Sequence, residues 1–153
     1  MTLSNAIRHT LIVTGLTWAG IARAGLGGDT ASVDADAATL HGAVSVRADT
    51  PVRMLEIEVD NGIQVREWLD AAGVIFAVSW NGPAQPDMRQ LLGSYYAQYT
   101  TALSALPTLG RVRAVHVRTE DLLVESDGHL RAYSGYAYLP ARVPAGVATT
   151  TLR

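Results

Sequence analysis

From Met54 onward, apolar and polar positions alternate. Leu55, Ile57 and Val59 are separated by Glu56 and Glu58, and beyond Asp60-Asn61-Gly62 the chain resumes as Ile63-Gln64-Val65-Arg66. Period-2 alternation marks a half-buried strand, and Asn-Gly between two such runs marks a hairpin. Slipping the pairing by one residue would carry a whole set of side chains to the other face, so purity of the faces decides the loop length. A two-residue loop sets Ile57 opposite Arg66 and Glu58 opposite Val65, which mixes them. A three-residue loop with Gly62 in the left-handed region sets Ile57 opposite Val65 and Glu56 opposite Arg66, and this is the expected register. Asp70-Ala71-Ala72-Gly73 makes the next turn. Pairing Leu69 with Val74 then places Val65 opposite Val78 and Ile63 opposite Trp80, which completes a three-stranded meander with one apolar face. Ser126-Asp127-Gly128 repeats the three-residue solution, with Val124 opposite Leu130, Leu122 opposite Ala132 and Glu125 beside His129.

Between these hairpins the period changes. Met88, Leu91, Leu92, Tyr95, Tyr99, Ala102, Leu103 and Leu106 recur at spacings of three and four, one face of a helix. Asp87 is a natural N-cap and Pro107 a stop. In Trp80-Asn81-Gly82-Pro83-Ala84-Gln85-Pro86-Asp87, the first half ends a strand and the second starts the helix. A sheet with one apolar face needs a cover, and this helix is the good candidate for it. The expected fold is α+β: an antiparallel sheet built as meander, long helix and further hairpin, with the helix packed on the apolar face. Thr39 to Val46 is a possible weak strand, and Leu26 to Asp36, small, polar and aperiodic, reads as a flexible lead-in within residues 25–50. Residues 51–153 form the single α+β domain.

The first 24 residues have a different character. Arg8 precedes an apolar segment from Leu11 to Ala22, and Ala22-Arg23-Ala24 is the small-x-small pattern that a signal peptidase reads. The segment is shorter than the roughly 20 apolar residues of a membrane helix. A cleaved secretory signal ending at Ala24 is expected, with a protein of the bacterial periplasm or outside the cell and no stable membrane span after cleavage. Loss of Arg8 and Arg23 takes the formal charge from -2 to -4, because all twelve basic residues are arginine and none of the fourteen acids lies in the signal. Mixed charge without a basic cluster argues against a nucleic-acid partner. The absence of cysteine excludes disulfides, thiolate metal sites and cysteine nucleophiles.

Polar residues at apolar positions are the candidates for chemistry. Glu67 falls on the apolar face between Leu55 and Phe76, where burial would raise its pKa and suit it to acid-base work. A strand-end carboxylate that reaches solvent, or one bonded by a helix tyrosine or Arg89, is the plainer account. His129 beside Glu125 and Asp127 is a second acid-base candidate, with a solvated pair at a hairpin tip as its plainer account. Three or four converging ligands are needed for a metal, and only His41, His116 and His129 remain after signal cleavage, so neither a metal nor a cofactor is expected. There is no nucleophile elbow and no phosphate-loop glycine spacing.

Six tyrosines lie within Tyr95 to Tyr138. Such rings serve carbohydrate or peptide grooves and also ordinary core edges. Tyr96 points away from the helix core face, and Tyr136 and Tyr138 fall on the apolar side of the last hairpin with Tyr133 on the other. Trp68 falls on the polar face, either exposed or under the amino-terminal segment; if exposed, it marks an interaction surface with Ile75. Arg111 to Arg118 holds three arginines that would protect an edge strand from pairing, or meet an anionic envelope surface.

Leu26-Gly27-Gly28, the block VREWLDAAGVIFAVSWNGPAQPDMRQLLGSYY and the block VESDGHLRAYSGYAYLPARVPAG resemble a proteobacterial family of secreted proteins classed as domain of unknown function 2844. The resemblance implies secretion and a single domain, and it carries over no activity and no catalytic residue. The expected function is a noncatalytic envelope module that binds another envelope protein or a small ligand through Trp68, Trp80, Asn81, Tyr96 and Tyr133. A small hydrolase or lyase using Glu67, alone or with His129, and a structural envelope component are the alternatives.

Overall fold

The alternating runs become paired strands in the computed structural model of the protein, which describes residues 25–30, 32–33, 42–47, 52–59, 61–106 and 114–152. The expected signal, His41, Asp60, Pro107 and Arg111 to Arg113 lie outside the described residues. Strands β1 (Gly42–Arg47), β2 (Arg53–Val59), β3 (Gln64–Leu69) and β4 (Ile75–Gly82) are followed by helices α1 (Met88–Leu92) and α2 (Tyr96–Ser104). Strands β5 (Ala114–Arg118), β6 (Leu123–His129) and β7 (Ala132–Tyr138) complete the order. Among the described residues all strand pairings are antiparallel, in one seven-stranded sheet ordered β1-β2-β3-β4-β7-β6-β5. The protein is α+β.

Local chemistry explains most of these elements. Gly62, at φ 80°, and Asn61, whose side chain accepts from the Ile63 amide at 3.1 Å, bend the chain between β2 and β3. Ile57 then stands opposite Val65 and Glu56 opposite Arg66. Asp87 caps α1 by accepting from the amides of Arg89 and Gln90 at 2.8 and 3.3 Å. The helical segment is not uniform: Gly93, at φ 51°, ends α1, and a 3-10 turn over Gly93–Tyr95 leads into α2.

Two expected registers are corrected. Between β3 and β4, Val65 pairs with Trp80 and Glu67 with Val78, and the register shifts by one at Trp68/Leu69. This bulge gives Phe76 and Ala77 to the same side of the sheet, whereas Ile75 and Val78 face the helices. The strand slipped by two beyond the bulge, an even number, so Val78 and Trp80 kept their expected face. The second hairpin differs more. Ser126-Asp127-Gly128 belongs to β6, His129 pairs with Ala132, and the turn is Leu130-Arg131 with Arg131 at φ 61°. The register changes by an odd number, which turns the residues of β7 over relative to β6.

Each face of the sheet carries its own apolar cluster. On one, Met88, Leu91, Leu92 and Tyr99 cover Ile57, Val65, Val78, Trp80, Val124 and Ala137. On the other, Met54, Trp68, Phe76 and Ala77 are covered by the carboxy-terminal strap, which brings Leu152, Val143 and Val147. The Leu139 amide donates to the Phe76 carbonyl at 2.9 Å, and Arg142 pairs with Asp70 at 2.8 Å, so the strap is tied near its start. The expected lead-in is packed where it is described. The amides of Leu26 and Gly27 donate to the carbonyls of Leu91 and Ile75 at 2.9 and 2.8 Å, and Leu26, Ser32 and Val33 are buried.

Candidate functional site

Antiparallel registers line up side chains across the sheet, and the strap side resolves into three rows. The first, Met54, Trp68, Ala77, Tyr138 and Leu123, is apolar and lies at the strap. The second runs Glu56, Arg66, Ser79, Tyr136, Glu125 and His116. The third runs Glu58, Gln64, Asn81, Ser134 and Asp127. In the second and third rows the middle strands β4 and β7 each carry one serine, Ser79 beside Tyr136 and Ser134 beside Asn81, while longer side chains stand on β3 and β6. The result is a depression of about 270 Å3 over the middle of the sheet. Arg66 stands on one side and Glu125 and Asp127 on the other.

The floor is shaped by a close approach. Gly135 stands opposite Trp80, and a Cβ there would lie 2.4 Å from Trp80 Cζ2 and 2.6 Å from the Glu125 carbonyl oxygen. Only glycine lets the indole cross beneath β7. Trp80 Nε1 is buried without a hydrogen-bond partner among the described residues.

The walls are charged but partly paired. Arg66 Nε lies 3.6 Å from Glu56 Oε2, and His116 Nδ1 lies 3.9 Å from Glu125 Oε1. Tyr136 and Tyr138 stack in parallel, with centroids 6.3 Å apart and planes 3° apart. Tyr138 belongs to the strap row and packs against its apolar cluster, so the row of Ser134 lies on the opposite side of Tyr136.

The residues singled out by sequence are dispersed. Asn81 and Trp80 line the depression. Trp68 is only 3% exposed and lies under the carboxy-terminal strap rather than the amino-terminal segment, and Ile75 is fully buried, so the condition for an interaction surface at these two residues is not met. Glu67 is completely buried on the helix-covered face between Leu55 and Val78, away from solvent and from the depression. His129 is exposed at the β6-β7 turn opposite Ala132, and Glu125 stands instead opposite His116 and Tyr136. Glu67 and His129 are not brought together. Tyr96 is half-buried on α2 with the Arg89 guanidinium 4.8 Å above its ring. Burial, and then the neighbouring Tyr96, push the Tyr99 hydroxyl above its ordinary pKa. Tyr133, opposite Gly82 and Gly128, shares the face of Gly135 and Ala137, and Tyr136 and Tyr138 share the other, the reverse of the expected assignment.

Sequence reasoning missed Arg66, Ser79, Ser134, Tyr136, Glu125 and Asp127 as one group. A serine in the middle of each of two strands was the available signal, but their meeting depends on β7 pairing with β4. Among the described residues no cluster of three or more histidine, aspartate or glutamate side chains is arranged to hold a metal ion, and no helix is long and apolar enough to cross a membrane.

A family model described as a protein of unknown function, DUF2844, matches residues 22–152. No curated protein and no solved structure matches the chain.

Proposed function

We propose that this chain, which belongs to the DUF2844 family of proteins of unknown function, is a noncatalytic binding module of the bacterial cell envelope that captures a small polar ligand on the open face of its sheet. The observation that carries the reading is the depression of about 270 Å3 in which Arg66, Ser79, Asn81, Ser134, Asp127 and Tyr136 converge. Its size falls just under the roughly 300–1,000 Å3 of small-molecule sites. Its polar groups stand on strands held from both faces, a rigid platform that suits recognition. Glu67 lies on the other side of the sheet from the depression, so this reading gives it no part in binding.

The location follows from the amino-terminal pattern. Cleavage after Ala24 would leave Leu26 and Gly27, with their bonds to Leu91 and Ile75, in the mature chain. Amino-terminal sequencing of the protein from a periplasmic extract should begin at Gly25; an intact leader there would refute the secretory part of the proposal.

Native mass spectrometry of protein gently purified from its host tests the binding role. Wild type should carry a noncovalent small-molecule adduct, and Ser134→Trp, which fills the depression, should lose it while keeping its circular dichroism and melting temperature. A bare wild-type monomer, or an adduct that Ser134→Trp retains, would count against this site.

A further inference from the structure

Resting on that reading, we infer that the ligand class is a neutral saccharide, bound with one sugar ring against Tyr136. Three observations point the same way. The first is the sign of the walls. Arg66 on β3 faces Glu125 and Asp127 on β6 across Ser79, Asn81 and Ser134. A phosphate or carboxylate ligand would gain from Arg66 and be repelled by the two acids, and an organic cation would meet the reverse. Hydroxyl groups both donate and accept, so a neutral polyol satisfies both walls at once.

The second observation is the spacing of small polar side chains. Ser79 stands opposite Tyr136 and Asn81 opposite Ser134 on neighbouring antiparallel strands. Successive residues on one face of a strand are roughly 7 Å apart and neighbouring strands about 4.8 Å apart. Ser79, Asn81 and Ser134 therefore form a lattice of donors and acceptors with spacings suited to the hydroxyls around one ring.

The third is the aromatic platform. Tyr138 lies parallel to Tyr136 on the strap side, with a 3° interplanar angle. The side of Tyr136 toward Ser134, away from Tyr138, borders the depression. A sugar has an apolar C–H face and a polar rim, and an aromatic ring beside hydrogen-bonding groups matches both. The volume of about 270 Å3 suits a monosaccharide or a disaccharide end, and is small for an extended peptide.

The test uses the full chain, secreted with its own leader, labelled with 15N and titrated separately with two panels. One contains glucose, galactose, mannose, N-acetylglucosamine and their disaccharides; the other contains free amino acids, dipeptides, diamines and inorganic phosphate. At least one neutral sugar should shift the amides of Ser79, Asn81 and Ser134 saturably. Tyr136→Ala should weaken that sugar at least tenfold and Asp127→Asn should weaken it severalfold, while Tyr136→Trp, which keeps an aromatic face, should restore binding. Retention of the wild-type amide spectrum outside the depression separates lost stacking from lost folding. Shifts at these amides with the second panel alone would overturn the saccharide assignment and leave the depression standing as a binding site. Sugar shifts elsewhere on the protein, or no response to either panel, would overturn the assignment too. In that last case the native-mass adduct and its sensitivity to Ser134→Trp decide the broader reading.

Discussion

Single residues decide the floor of the depression and the fastening of the strap. Gly135 has no room for a Cβ between Trp80 and the Glu125 carbonyl, so Gly135→Ala should force the indole or the strand to move. Overpacking of this kind costs about 1–3 kcal/mol, to be read as a lower urea midpoint with an unchanged slope. Asp70 accepts from the amides of Ala72 and Val74, both at 2.9 Å, and pairs with Arg142. Burial alone would raise its pKa, but the Val74 amide, Arg142 and the Ala72 amide together outweigh that and hold it below the ordinary 3.8. A lowered folded-state pKa contributes stability above the unfolded value and loses it as pH falls through the folded one. The advantage of wild type over Asp70→Asn, about 0.2–1 kcal/mol for a solvent-screened pair, should therefore be full well above 3.8 and disappear below the lowered value. Denaturant melts over a pH series would show it, and a gap independent of pH would contradict the assignment. At this scale the sequence was partly legible: Asp87 and the Asn61-Gly62 turn follow from local chemistry, whereas Gly135 is explained only by a tryptophan from another strand.

Among elements, the strap and the helix do different work on opposite faces. Leu152 is fully buried with Trp68, Phe76 and Ala77, and Leu152→Ala should cost about 2–4 kcal/mol through lost burial and a residual cavity. Removing the chain after Leu139 should go further, exposing Trp68 and shifting tryptophan emission to the red. Unchanged emission would mean that Trp68 does not depend on the strap. On the helix side, Asp87→Ala removes the side-chain acceptor for two amides and should cost about 1 kcal/mol, measurable by thermal melting. The strap was illegible as an element because the stretch after Tyr138 has neither period. Its 3-10 turns and valines acquire a role only against a second apolar patch, and that patch exists because the β3-β4 bulge gives Phe76 and Ala77 to one side.

For the whole molecule, the order β1-β2-β3-β4-β7-β6-β5 puts β4 and β7 in the middle and β1 and β5 at the edges. Amide exchange should be slowest in β4, paired on both sides and buried at Ile75 to Trp80, and fastest in β1, where Val46 is 60% exposed. Equal protection across the sheet would contradict this layering. The sequence by itself determined the antiparallel α+β class, the β2-β3 register, the helical segment after Asp87 and the apolar face it covers. Each of these depends on periodicity or on turn chemistry among residues close in the chain. The tertiary structure alone decided that β7 docks beside β4, that the second hairpin turns at Leu130-Arg131, that Trp68 lies beneath the strap, and that serines from two hairpins floor one depression. The first and last depend on pairing between strands far apart in the chain, the hairpin turn on the parity of the β6-β7 register, and the burial of Trp68 on a carboxy-terminal stretch distant in sequence. Shifting a register by an odd number of residues exchanges the two faces of a strand without changing its local pattern, so only the assembled sheet reveals which side chains meet.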